Sequence, residues 1–296
     1  MLTAKGKFYI IKITLINRLK LPMKGNENMK YIIDNDLHIH SQLSLCSKDP
    51  EQNKENILSY AEKTGLKTIC LTDHFWDEAV EPPSRWYERQ NYEHITEAKP
   101  LPQGKDVKFL FGCEADLSKD LTLGVAREKF DSFDFIIIPT THLHMMGFTI
   151  SEEEGKTPEG RANAWIKRLE GVLNMDLPFH KIGLAHLTCA LIAKPREEFL
   201  KVLNLIPDEE MERLFEKAAQ LGVGIELNMC DMSFSEEEKE TILRPYRIAK
   251  RCGCKFYCGS DAHTPSEFEG YKEIMERAVD LLGLTEDDKF IIKTKI

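Results

Sequence analysis

His38 and His40 stand two residues apart in Asp36-Leu37-His38-Ile39-His40-Ser41, just after the apolar run Tyr31-Ile32-Ile33. Asp261 and His263 repeat that interval in Gly259-Ser260-Asp261-Ala262-His263. On an extended strand, residues i and i+2 leave the same face, so each pair presents two ligand atoms together. Imidazole nitrogens mixed with carboxylate oxygens suit zinc, iron(II) or manganese. One His-x-His pair is ordinary. The same residue class, however, recurs where other β-rich runs stop: His74 after 68–72, Glu114 after 108–113, His142 after 135–139 and His186 after 181–185.

A single histidine at a strand end usually packs or caps. Recurrence at one structural level calls for a shared centre, so the elements between these residues decide the reading. From Tyr31 onward, short β-rich runs alternate with helical stretches, and two further strands are expected at 224–228 and 255–259. The first helix is expected to open with Asp49 as N-cap, Pro50 at its first position and Gln52 at the capping-box position, and to stop at Gly65. A long connection containing Trp76, Trp86, Tyr87 and Tyr92 reads as half helical. Helices are then expected from Thr157-Pro158 to Leu173, over 195–203 and 208–221, and after a Ser235/Glu238 capping box. Thr264, Pro265 and Glu267 should open the last long helix.

Seven strands with regular crossovers and no internal repeat imply a single parallel, barrel-like α/β domain. In such barrels the C-terminal strand ends carry the chemistry. Asp73 and His74 are neighbours and point opposite ways on a regular strand; His74 is read as the ligand. Asp36 and Asp73 are read as supporting residues behind the ligands. His142 is preferred to His144 because it lies nearer its strand, with His144 a further candidate to touch metal or substrate. His94 and His180 fit neither spacing nor level and read as packing or surface residues.

These motifs, with Thr72-Asp73-His74, Gly112-Cys113-Glu114, Thr141-His142 and Ala185-His186, resemble in order those of the PHP (polymerase and histidinol phosphatase) family, specifically its free-standing histidinol-phosphatase-like branch. The resemblance runs from about Tyr31 to Tyr271 and implies a distorted (β/α)7 TIM-like barrel holding two or three divalent ions. It implies that His38, His40, Glu114 and Asp261 bind one ion, and that Glu114 bridges to a second held by His142 and His186. His74 and His263 would hold a third, with Glu114, Asp261 and His263 taking part in catalysis. Family members commonly place another histidine where this chain has Cys46. A thiolate there favours zinc or iron(II) over manganese or magnesium, and zinc most. Leu187 replaces a frequent proline.

Composition bounds the rest. A chain of 296 residues, 42% hydrophobic and 30% charged, suits a globular domain with a sizeable core. A net charge of -9 argues against tracking long nucleic acid. It leaves room for a small anion, since bound cations reverse the local field. Eight cysteines without a C-x-x-C pair read as reduced thiols in a cytoplasmic protein. The Cys252, Cys254, Cys258 cluster reads as packing rather than a zinc knot. No run suits a membrane span, and 8–16 makes a poor signal peptide. Lys24-Gly25-Asn26-Glu27-Asn28 would be encoded by purine-rich codons, as a ribosome-binding site is. Residues 1–28 are therefore expected to be a disordered extension or a mis-called start before Met29, with 29–296 the barrel domain.

The chemistry this implies is hydrolysis of a small phosphorylated metabolite, a phosphate monoester, by metal-bound hydroxide in a di- or trinuclear centre. Arg85, Arg89 and Arg161 are candidate phosphate contacts without an assigned role. Rival readings are a phosphodiesterase or nuclease on short nucleotides, an amidohydrolase, and a catalytically silent metal-binding module. The amidohydrolase reading lacks the bridging lysine that class uses, and the silent module is at odds with the presence of Glu114 and Asp261.

Overall fold

A computed structural model describes residues 29–81 and 83–293. The expected 1–28 extension lies outside the described residues. The strands are β1 (Asn35–Ile39), β2 (Thr68–Leu71), β3 (His74–Phe75), β4 (Lys108–Ala115), β5 (Phe135–Ile138), β6 (Ile182–Leu184), β7 (Gly224–Asn228) and β8 (Lys255–Gly259). Every ladder is parallel, in the order β1-β2-β4-β5-β6-β7-β8. Both β2 and β3 run along β4, pairing with its first and last residues respectively. They fill one barrel position interrupted at Thr72-Asp73. Seven positions result, forming the single-domain, distorted (β/α)7 barrel that the sequence implied.

Strand composition follows from burial. The run Phe135-Ile136-Ile137-Ile138 is buried throughout, as expected of a parallel strand covered on both faces. Leu37, Cys70, Leu110, Ile137, Tyr257 and Phe290 form the apolar filling of the barrel. Phe290 closes its lower end, its amide donating to the Phe256 carbonyl at 2.7 Å. Gly224 makes this possible, since a Cβ there would lie 2.9 Å from the Phe290 ring.

The ring closes between β1 and β8 with little regular pairing. Asp261 N donates to His38 O at 2.7 Å and His40 N to Ala262 O at 3.1 Å. Lower down, side chains replace main-chain acceptors: Cys258 N donates to Asn35 Oδ1 at 3.0 Å and Ser260 N to Asp36 Oδ1 at 2.9 Å.

The outer layer comprises α1 (Lys54–Thr64), the one-turn α2 (Tyr92–Ile95), α3 (Pro158–Asn174), α4 (Arg196–Leu205), α5 (Asp208–Leu221), α6 (Lys239–Arg251) and α7 (Tyr271–Leu282). Three local expectations are corrected. The cap of α1 is Asn53, whose side chain accepts from Asn56 N at 3.0 Å. Asp49 instead closes the preceding turn, and the Gln52 amide is drawn into the seam, donating to His40 O and Ala262 O at 2.9 and 3.2 Å. The aromatic connection holds only single turns of helix at 87–89, 92–95 and 96–98. The last long helix is split: the Thr264/Glu267 capping box starts one 3-10 turn, and Gly270, at φ 76°, breaks the chain before α7. Among the described residues no helix is long and apolar enough to cross a membrane.

Candidate metal centre

The barrel mouth gathers three overlapping groups of ligand atoms. The first joins β1 to the residues after β8. His38 Nε2 lies 3.1 Å from His40 Nε2, and Asp261 Oδ1 lies 3.2 and 3.1 Å from those nitrogens. Asp261 reaches them through a left-handed backbone, φ 57°, that aspartate tolerates better than most residues. Two ligands at about 2.1 Å from a tetrahedral zinc are separated by about 3.3 Å, so these spacings match the edges of a coordination polyhedron.

The second group centres on Glu114, near the end of β4. Its Oε1 lies 3.3 Å from His186 Nε2 and 3.8 Å from His142 Nε2. Its Oε2 faces the other way, 3.3 Å from His40 Nε2, 3.6 Å from His38 Nε2 and 3.0 Å from His74 Nδ1. One carboxylate thus touches both neighbourhoods. The β3–β4 register, which pairs His74 with Glu114, sets this up.

The third group is His40, Cys46, His74 and His263, whose ligand atoms lie within 4.8 Å of one another. Cys46 is exposed and His263 half-buried, its ring stacked on His40 at 4.4 Å. Although the residue keeps an exposed face, desolvation of its thiol and then the carboxylates Glu114 and Asp261 push it up. Its surroundings therefore keep it protonated, and thiolate ligation requires a cation to displace that proton.

The electrostatics fit such ions. Burial would raise Glu114, but His38 and the His186 hydrogen bond hold it well below the usual carboxylate range. Asp261 is lowered likewise, with His38 and His40 overcoming burial. Burial, and then His40, His142 and His263, push the His74 imidazole down to about 3, leaving it neutral. His74 Nδ1 is buried beside Glu114 but off hydrogen-bond geometry. A neutral, unpartnered imidazole nitrogen among ionised carboxylates is a ligand atom in want of a cation.

Outside this ring sit residues that sequence reasoning missed. Glu226, buried in β7, places Oε1 2.8 Å from His38 Nδ1 and accepts from His186 N through Oε2 at 2.6 Å. Gly259 admits it, since a side chain there would collide with the Glu226 carboxylate. Asp116 Oδ2 lies 3.0 Å from His142 Nδ1 and accepts from Tyr87 Oη at 2.7 Å. Arg168, buried on α3, faces Asp116 at 3.5 Å and donates to the Thr140, Leu117 and Thr149 carbonyls at 2.8, 2.8 and 2.6 Å. Thr141 Oγ1 lies 2.8 Å from His186 Nδ1, and Ser44 Oγ 3.1 Å from His40 Nδ1. A glutamate amid apolar residues in Gly-Ile-Glu-Leu-Asn, and an arginine between Trp165 and Leu169, were the signals available.

Asp73 accepts from Ser41 N, Ser41 Oγ and Ser44 Oγ at 2.7, 2.7 and 2.8 Å, reaching His40 through Ser44. Asp36 lies in the seam below His38, accepting also from Tyr60 Oη at 3.2 Å. His144 is exposed at the rim, 5.4 Å from the His142 ring, and belongs to none of the three groups. His94 packs against Leu43 O at 2.8 Å, and His180 is exposed. Arg161 spends its guanidinium on the Leu143 and Ile192 carbonyls, and Arg85 and Arg89 are exposed. Cys254 and Cys258 are buried, and none of the 252–258 cysteines joins a ligand group. A cavity of about 440 Å³ opens above Glu114, and among the described residues no lysine or arginine lines it.

A barrel whose strand ends bring histidines and carboxylates to one cavity is the architecture of a metal-dependent phosphoesterase, and the chain belongs to the PHP domain family, whose profile matches residues 36–230. Asp261 and His263 lie beyond that stretch and are brought in by the fold. A curated relative described as a probable phosphatase, from Caldicellulosiruptor bescii, is 23% identical over 245 residues, spanning 82% of this chain and 85% of its own. Among solved structures, the histidinol phosphate phosphatase of Lactococcus lactis, crystallised with zinc, L-histidinol and phosphate, aligns with a TM-score of 0.57 at 16% identity. That alignment covers 88% of this chain and 99% of the other.

Proposed function

We propose that the protein hydrolyses a small phosphate monoester at a di- or trinuclear metal centre. The observation that carries this is Glu114, one carboxylate whose two oxygens face separate histidine clusters. His38, His40, Glu114 and Asp261 would hold one divalent ion, and Glu114, His142 and His186 a second. Cys46, His74 and His263, with His40 beside them, would hold a third, for which the thiol makes zinc the favoured ion. Ions bound there would supply Lewis acidity, activating water near neutral pH and neutralising the ester's non-bridging oxygens.

The chain's own part is positioning. Glu226, Ser44, Asp116 and Thr141 occupy the outward nitrogens of His38, His40, His142 and His186, turning the inward nitrogens to the cavity. Glu114 and Asp261 supply the centre with ionised carboxylates for cations to bind. With no lysine or arginine among the described residues of the cavity wall, the substrate's phosphate would depend on those cations for its binding. Where the third ion is not bound, His263, partly open to solvent and lowered by burial and then by His40, is neutral and able to accept a proton at the mouth.

The test is turnover by the purified, metal-loaded full chain of p-nitrophenyl phosphate, its bis-ester and a panel of amides. The expected result is monoester hydrolysis that a chelator abolishes and added zinc or manganese restores. Preference for the bis-ester would favour phosphodiester cleavage, amide turnover would favour an amidohydrolase, and inactivity in every arm would leave a metal-binding module.

A further inference from the structure

We infer that the part of the substrate beyond the phosphate is an uncharged aromatic ring seated against Trp86; this rests on the monoesterase reading and narrows it. Above the ligand groups the cavity wall is built by three loops. The 76–104 connection gives Trp86 and Tyr87, the segment after β5 gives His144 and Met145, and the segment after β6 gives Cys189 and Leu191.

Apart from the exposed imidazole of His144 and the thiol of Cys189, these side chains are aromatic or apolar. Tyr87 spends its hydroxyl on Asp116, so it offers only its ring. Met145 and Leu191 are half-buried apolar side chains. Trp86 is half-buried and meets His74 and Tyr87 at interplanar angles of 83° and 76°. Among the described residues no ring lies parallel to it, and it lines the cavity. Offset stacking on an aromatic ligand is the contact an indole in a cavity wall makes best.

Charge argues the same way by exclusion. The carboxylates lining the cavity are Glu114 and Asp261, and both face histidines. A substrate ammonium would have to take its acceptors from those engaged carboxylates or from the histidines at the mouth, His144 and His263. Among the described residues the wall has no lysine or arginine to receive a second anionic group. A cavity of about 440 Å³ has room for a phosphate and a single ring system.

Binding and turnover test this separately, using the metal-loaded full chain. Benzylphosphonate and 2-aminoethylphosphonate are titrated calorimetrically, and the matching esters, benzyl phosphate and 2-aminoethyl phosphate, are assayed for release of phosphate. Both esters leave as alcohols, so the comparison is not dominated by an activated aryl leaving group. The aromatic phosphonate is expected to bind at least about fivefold more tightly, with Trp86→Ala removing most of that margin and Trp86→Phe keeping it. Equal binding, preference for the amine, or a margin that survives Trp86→Ala overturns the inference. Absence of turnover on both esters, with a Trp86-dependent aromatic preference still seen in binding, overturns the monoesterase reading and supports the assignment of the wall.

Discussion

At the scale of residues, the inward-facing histidines depend on what holds their other nitrogens. Glu226 uses one oxygen on His38 Nδ1 and the other on His186 N. A glutamine has one acceptor oxygen, so Glu226→Gln leaves one buried N–H without a partner. Zinc affinity is expected to fall about 10- to 100-fold, read by competition with a chelating dye; unchanged affinity would remove Glu226 from the site. Cys46→Ala is expected to lose one bound zinc equivalent by elemental analysis while the others stay, and full retention would show that the thiol only packs. The candidate ligands other than Cys46 were legible because each is a metal-binding residue type at the end of a β-rich run. Glu226, Asp116 and Arg168 were not. A buried charge inside a strand or helix has no local pattern that names its partner, and Glu226 lies 188 positions from His38.

At the scale of elements, β2 and β4 to β8 were readable to within a residue or two, since runs such as Phe135-Ile136-Ile137-Ile138 have no competing helical period. Strand β3 was not expected, and β1 starts at Asn35 rather than beside Tyr31. Helix starts were harder. Asp49 and Asn53 are both good caps, and the choice fell to Asn53 because the seam claims Gln52, a contact invisible to local sequence. The break at Gly270 shows a capping box opening one turn rather than a long helix. The start of α6 is tied to α4 by Arg196, whose Nε and Nη2 donate to Glu238 Oε1 and Oε2 at 2.6 and 3.0 Å. The Arg196 hydrogen bond lowers Glu238 from 4.5 to about 2. A carboxylate depressed in the folded state stabilises above its unfolded pKa and ceases to as pH falls through the folded one. Glu238→Gln is therefore expected to cost about 0.5 kcal/mol near pH 7, modest because solvent screens the pair. The gap in melting temperature should shrink as pH falls from 4.5 toward 2, and a gap independent of pH would refute the assignment.

At the scale of the whole molecule, the barrel separates a dry lower half from a polar mouth. Phe290→Ala empties the lower plug and is expected to cost about 3 kcal/mol in chemical denaturation, the lower end of the usual range because the ring is not fully enclosed. A loss under 1 kcal/mol would mean the segment around it does not close the barrel. The mouth has a different vulnerability, set by the sparse pairing of β1 with β8. His38 and His40 stand on one bank of that join and Asp261 on the other. An ion gripped by all three would act as a buckle, fastening the beginning of the folded chain to its far end. Loading with metal and completing the ring would then be one event, and a stripped protein should gape first along this line.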